Sequence, residues 1–157
     1  MISFGRNIFH NVLSSNLSGF IKTHSCYTAL LQMTEDWKNS IDNREAVAAV
    51  AVDLSIALDA VNHRLLLAKR KAYGFSTYTL EMTSSYLLGC QQCVSVAGLC
   101  FNFKSIKTGV PQGSFLGPLL SNIFINDLNC VPSVSLRLYA DSTTAYLSDV
   151  SPTILKF

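Results

Sequence analysis

Apolar residues recur at Tyr27, Leu30, Met33, Trp37 and Ile41, with Glu35, Asp36 and Lys38 set between them. That three-to-four spacing predicts an amphipathic helix with its charged side in water and its end at Asp42-Asn43. Ala46 to Val52 is short, apolar throughout and partly β-branched, the pattern of a strand buried on both faces. Leu65, Leu66 and Leu67 open a second helix that Asn62 can cap and Gly74 can stop, and Leu80 to Leu88 suggests a third. Cys93-Val-Ser-Val-Ala97 and the stretch Cys100 to Ile106 alternate apolar and polar around Gly98, which predicts a hairpin. Leu116 to Leu128 forms a helix if Pro118 lies in its first turn. Leu136 to Ala140 and Thr144 to Leu147 read as two short strands joined by a tight turn at Asp141-Ser142. The sum is an α+β domain, an antiparallel sheet with helices packed on one face. Residues 1–18 show weak periodicity and are expected to be a weakly ordered segment ahead of a single domain over 19–157.

Composition narrows the classes. A chain of 157 residues with 49% hydrophobic content can bury one real core. The formal charge of +2 supplies almost no global attraction for nucleic acid, so contact would need a local basic face, and Arg64 with Lys69, Arg70 and Lys71 is the candidate. A solvated helix end explains those four equally well. The 5 cysteines are odd in number and irregular in spacing, and no signal peptide is read at the N-terminus, which points to a reducing interior. Nucleus and cytoplasm are not distinguished. Cys90 and Cys93 form one Cys-x-x-Cys without a second pair at zinc spacing, and are expected to be buried thiols. The longest apolar run, Ala46 to Val52, is far short of the ~20 residues of a membrane span.

The candidate chemistry lies in carboxylates. Asp53 follows the apolar strand directly and Asp141 sits at the turn of the later hairpin. If those elements are sheet neighbours, the two converge at one edge. Adjacent carboxylates repel and attract divalent cations, and hard oxygen donors select Mg²⁺, which also takes waters and substrate phosphates as ligands. Paired cations of this kind lower the pKa of an attacking hydroxyl and neutralise a triphosphate leaving group, which is nucleotidyl transfer. Spacing alone equally fits ordinary turn or cap aspartates. Asp59 could assist a metal but reads better as a surface or turn carboxylate, and His63 could be a general acid but reads better as a capping or packing residue.

Four stretches carry a resemblance. They are Asp53-Leu-Ser-Ile-Ala-Leu-Asp59, Gly109-Val-Pro-Gln-Gly-Ser114 continuing into Leu116-Gly-Pro-Leu-Leu120, Ile125-Asn-Asp-Leu128, and Tyr139-Ala-Asp141. In this order they resemble the reverse transcriptase domain of non-LTR, LINE-type retrotransposons, from about Gly19 to Leu147. The resemblance implies a polymerase palm with partial fingers and no thumb. It also implies RNA-directed DNA synthesis on an RNA template and DNA primer from deoxynucleoside triphosphates. Asp53 and Asp141 would be catalytic metal ligands, with the Leu54 carbonyl beside the metal. Gln112 and Gly113 would line the template and nucleotide pocket, Lys22 would retain part of a triphosphate grip, and Leu58 would lie under the sugar. Ser142 stands where the family has a second aspartate, and Leu58 where it has an aromatic residue. Met82-Thr83 and Cys90 stand where Trp-Phe and Arg are usual. These departures define the alternative, a catalytically degenerate remnant that at most binds nucleic acid or a protein partner.

Overall fold

The computed structural model describes residues 12–54, 58–130 and 134–150, which form two compact units. One unit had been expected from composition. The first takes the chain up to Ile56 and from Ile125 onward, and the second runs from Ala57 to Phe124. The antiparallel pairing and α+β class expected from the pattern are both present.

In the first unit, α1 (Cys26–Asp42) opens on a capping box in which Ser25 and Thr28 satisfy each other's backbone N–H groups. It leads to β1 (Ala46–Asp53), and the chain returns through a 3₁₀ turn (Asn126–Cys130) to β6 (Ser135–Tyr139) and β7 (Ser142–Asp149). The sheet order is β1-β7-β6, fully antiparallel, with Ala46 opposite Asp149 and Asp53 opposite Ser142. β1 is therefore an edge strand, and most of its residues are exposed. The expectation of burial on both faces fails because an apolar run of this length does not distinguish a central strand from an edge. Residues 16–18 form a short parallel bridge on the far side of β6: Ser18 N–H donates to Leu138 O at 2.8 Å and Leu138 N–H to Asn16 O at 2.9 Å. Leu17 and Leu138 are both 1% exposed and centre this unit's core.

The helix α1 meets the sheet with a face other than the one its pattern suggested. Tyr27, Leu30 and Ile41 are exposed, while Trp37 packs edge-on against Tyr146 with ring centroids 6.0 Å apart. Asp36, expected in water, is bound to Arg137 at 2.6 Å and accepts the Tyr146 hydroxyl. Asp36 meets Arg137 of β6 on the inward side of the helix, a pairing that no apolar count records.

The second unit holds α2 (His63–Ala72), α3 (Thr77–Leu87), two small ladders and α4 (Leu116–Ile125), whose final residue joins the first unit. Asn62 caps α2 by accepting Leu65 N–H at 3.0 Å, and the chain leaves through Gly74 at φ +80°. Pro118 sits in the first turn of α4, where its missing N–H costs nothing. Val61, Leu66, Leu87, Leu120 and Ile123 form the core. The predicted hairpin pairs β3 (Ser95–Val96) with β4 (Leu99–Cys100), and further from the turn β2 (Gln91–Gln92) with β5 (Lys104–Ser105). Ala97 and Gly98, both at positive φ, make the tight turn. Cys90 and Cys93 are partly exposed here and not buried thiols, because these strands form a ribbon with solvent on its faces.

Candidate nucleotidyl-transfer site

The register that places β1 beside β7 also places the two candidate carboxylates. Asp53 ends β1, and Leu54 N–H extends the ladder by one bond, donating to Asp141 O at 2.7 Å. Tyr139 pairs with Ser142, so Ala140 and Asp141 form a two-residue turn, and Ala140 carries the positive φ of +55° that such a turn demands. Both aspartates are exposed at one end of the sheet. Because facing residues of an antiparallel pair share a sheet face, Asp53 and Ser142 are direct cross-strand neighbours.

Gly19 lies against this turn, a role the sequence pattern did not reveal. A Cβ at Gly19 would fall 2.8 Å from Ala140 Cα and 3.2 Å from the Tyr139 carbonyl carbon. Only a residue without a side chain lets the segment pass so close. Lys22 follows three residues later, exposed, in a loop where Phe20 and Thr23 both adopt positive φ. The first unit thus gathers Asp53, Leu54, Asp141, Ser142 and Lys22.

The second unit gathers the other candidates. The loop around Gly109 pairs with the segment before α2: Val110 N–H donates to Leu58 O at 2.9 Å and Gly109 N–H to Val61 O at 2.8 Å. Gly109 takes φ +86°, and a Cβ there would sit 2.9 Å from Asp59 O. Buried His63 donates from Nε2 to Gly109 O at 2.6 Å, so it moors the loop as well as starting the helix. Gln112 donates from Nε2 to Asp59 Oδ1 at 3.0 Å. Asp59, read from the sequence as a surface or turn carboxylate, is exposed and holds the Gln112 amide beside Gly113. Ser55, Ile56 and Ala57 of the first motif lie outside the described residues.

The basic cluster is largely consumed in packing. Arg70 is buried, reaches Thr83 and stacks at 4.5 Å over Phe75, and burial holds its guanidinium below the ordinary arginine value. Lys69 donates to Phe124 O at 2.6 Å and lies 4.6 Å above the Phe124 ring. Arg64 and Lys71 remain exposed, so the four residues do not form one basic face.

Among the described residues no three His, Cys, Asp or Glu side chains converge as a metal cluster. The sheet end instead presents two exposed carboxylates. That donor set fits a hard divalent cation that takes one or two protein carboxylates and completes its shell with waters and phosphate oxygens.

An exposed Asp at a strand end next to a hairpin turn that carries a second aspartate, and a Gly-Val-Pro-Gln-Gly loop, are the features that the resemblance to a polymerase domain leads one to expect. Residues 5–154 match the family described as reverse transcriptase (RNA-dependent DNA polymerase), and the chain belongs to that family. It is a partial reverse transcriptase domain of the LINE type. It is 33% identical over 119 residues to a probable RNA-directed DNA polymerase from transposon BS of Drosophila melanogaster, covering 76% of this chain and 13% of that protein. It is 33% identical over 133 residues to the RNA-directed DNA polymerase from mobile element jockey of the same species, covering 80% and 14%. A third relative, a retrovirus-related Pol polyprotein from type-1 retrotransposable element R2 of Popillia japonica, is 30% identical over 79 residues, covering 50% and 13%. The chain therefore spans only a small fraction of the curated relatives it matches. Among the described residues no helix is long and apolar enough to cross a membrane.

Proposed function

We propose that this chain is the palm and partial fingers of a LINE-type reverse transcriptase, with helices on one face of the palm sheet. Its activity by descent is the addition of deoxynucleotides to a DNA primer on an RNA template. The observation that carries this reading is the ladder bond from Leu54 to Asp141, which holds the turn of one aspartate beside the strand end of the other. Asp53 and Asp141 would hold Mg²⁺, with the Leu54 carbonyl beside it. The chemistry such ions would supply there is acidification of the primer 3′-hydroxyl and neutralisation of the triphosphate leaving group. Lys22 would contact the triphosphate. Leu58, Gln112 and Gly113 would contact nucleotide or template, with Asp59 fixing the amide of Gln112.

One observation favours a second reading, a remnant without catalysis. Ser142 faces Asp53 directly. A carboxylate there would repel Asp53 in the metal-free protein and strengthen cation binding in the loaded one. Serine removes the repulsion and the added attraction together, so it favours the metal-free fold at the expense of metal affinity.

The test is deoxynucleotide incorporation on a primed RNA template in Mg²⁺ by the native chain, Asp53→Ala and Ser142→Asp, with melting measured with and without Mg²⁺. Incorporation by the native chain that Asp53→Ala abolishes supports the polymerase. Silence from the native chain with activity in Ser142→Asp supports the remnant and localises its defect. Silence from all three, with no Mg²⁺-dependent melting shift in Ser142→Asp, overturns the metal assignment.

A further inference from the structure

The hairpin of the second unit carries a pair of thiols that the polymerase reading does not use. Ser95 pairs with Cys100, and Cys93 precedes Ser95 by two residues, so strand alternation puts Cys93 and Cys100 on the same face of the ribbon in adjoining cross-strand rows. Proximity to Cys100 raises the Cys93 thiol above its ordinary value. Both line the same open groove with Gln92, Asn102 and Lys104, and Cys100 is exposed. The ladder register also shifts by one residue between the Gln92–Lys104 and Ser95–Cys100 pairs, leaving Asn102 and Phe103 opposite Cys93. Such a bulge leaves backbone unpaired locally and lets the strands adjust.

The sequence offers a different partner for Cys93, namely Cys90 in the Cys-x-x-Cys. The fold sets them apart in role. The Cys90 thiol turns back to the end of α3 and donates to Tyr86 O at 3.3 Å, while its backbone carbonyl accepts Ile106 N–H at 2.9 Å. Cys90 is thereby committed to the base of the hairpin, and Cys93 to its tip.

We propose that Cys93 and Cys100 are a reversible dithiol–disulfide site that exchanges with small disulfides such as oxidised glutathione. In the first step one thiol loses its proton and its thiolate attacks the glutathione disulfide, forming a mixed disulfide and expelling one glutathione thiolate. The second cysteine, also as thiolate, then attacks the protein sulfur of that mixed disulfide and expels the second glutathione. The protein is oxidised by two electrons and releases two protons, and oxidised glutathione is reduced to two glutathione molecules. The product closes the hairpin tip from Cys93 to Cys100 across its Ala97-Gly98 turn. Two accessible neighbouring thiols supply access and a resolving partner, and the raised Cys93 thiol disfavours rather than assists a first attack from Cys93. The inference rests on the hairpin alone and stands whether or not the chain polymerises.

The experiment incubates the purified full chain with oxidised glutathione, blocks remaining thiols by alkylation, and maps non-reduced chymotryptic peptides by mass spectrometry. Cys90→Ser, Cys93→Ser and Cys100→Ser are treated in parallel, and the native chain is also treated in urea. The expected product in native chain and Cys90→Ser is a linkage between Cys93 and Cys100, at least tenfold above any Cys90–Cys93 linkage and reversed by dithiothreitol. Cys93→Ser and Cys100→Ser should stop at a stable glutathione adduct, and urea should abolish the preference. A predominant Cys90–Cys93 linkage, persistent glutathione adducts on both Cys93 and Cys100 of the native chain, or an equal preference in urea would each overturn the proposal.

Discussion

Replacing Gly19 by alanine tests how the aspartate turn is held. Gly19 does not occupy a positive-φ conformation, so alanine suits its backbone and the perturbation is purely one of space. The added methyl would press hardest on Ala140 N and lie 2.8 Å from Ala140 Cα, where ordinary contact needs 3.4 Å or more, and the opposing atoms are backbone that cannot rotate aside. The clash must be relieved by moving either the 16–19 segment or the turn. Moving the segment strains its two backbone hydrogen bonds with Leu138, at 2.8 and 2.9 Å, each worth about 1 kcal/mol net. Overpacking of a fitted site costs about 1–3 kcal/mol, so about 2 kcal/mol is expected. For a chain of this size that lowers Tm by about 4–8 °C in a calorimetric or circular dichroism melt. Gly74→Ala is the control of opposite origin: nothing lies within 4 Å of its would-be methyl, but its φ of +80° imposes a backbone cost of about 1 kcal/mol. Gly19→Ala melting within about 1 °C of the native chain would show that the close approach to Ala140 does not hold the turn.

Three further outcomes follow from the same contacts. Burial first, and then the hydrogen bond to Asp36, push the Tyr146 hydroxyl up to about 12. Since the folded protein holds this proton more tightly, the stability it contributes is intact below the ordinary tyrosine value near 10 and is lost as pH rises towards 12. Absorbance titration should show one tyrosine ionising well after the others, and Asp36→Asn should shift it downward; a single common transition would refute this. Asp36→Ala removes the partner of both Arg137 and Tyr146. With the aspartate side chain 41% exposed, the cost is about 1–2 kcal/mol, read as a lowered denaturation midpoint. An unchanged midpoint would make the Arg137 pair energetically idle. His63→Leu leaves the Gly109 carbonyl without its buried donor and should cost about 1–3 kcal/mol, with faster proteolysis of the Gly109–Gly113 loop as a second readout.

Much of the fold was legible because its signals are local. Asn62, Gly74, Pro118 and the Ala97-Gly98 turn each act through their own backbone or the next turn of chain, so α2, α4 and the hairpin lie close to where the pattern puts them. What pattern could not supply was which surfaces meet. Asp36 and Arg137 are 101 residues apart in sequence, and their pair lies on the inward side of α1 while Tyr27, Leu30 and Ile41 stay exposed. Arg70 looked like surface charge, but it is a buried residue whose guanidinium stacks on Phe75 and bonds Thr83. At the candidate site, Asp53 and Asp141 were legible from the resemblance together with strand-end positions. Gly19 and the Asp59–Gln112 link were not, since a close backbone approach and a surface amide contact leave no periodic trace in sequence.

The position of β1 at the outer side of its sheet has a consequence for handling the protein. Eight residues at about 3.3 Å each give roughly 27 Å of strand whose outer side meets no other strand among the described residues. From Ala46 to Val52 it carries no charge and no proline, the features that ordinarily discourage a second chain from adding to such an edge. The strand that delivers Asp53 is thus also the one most open to templated addition. Concentrating the protein and exposing its carboxylates to solvent therefore pull against each other, and a lysine placed on the outer part of β1, away from Asp53, is the direct means of separating them.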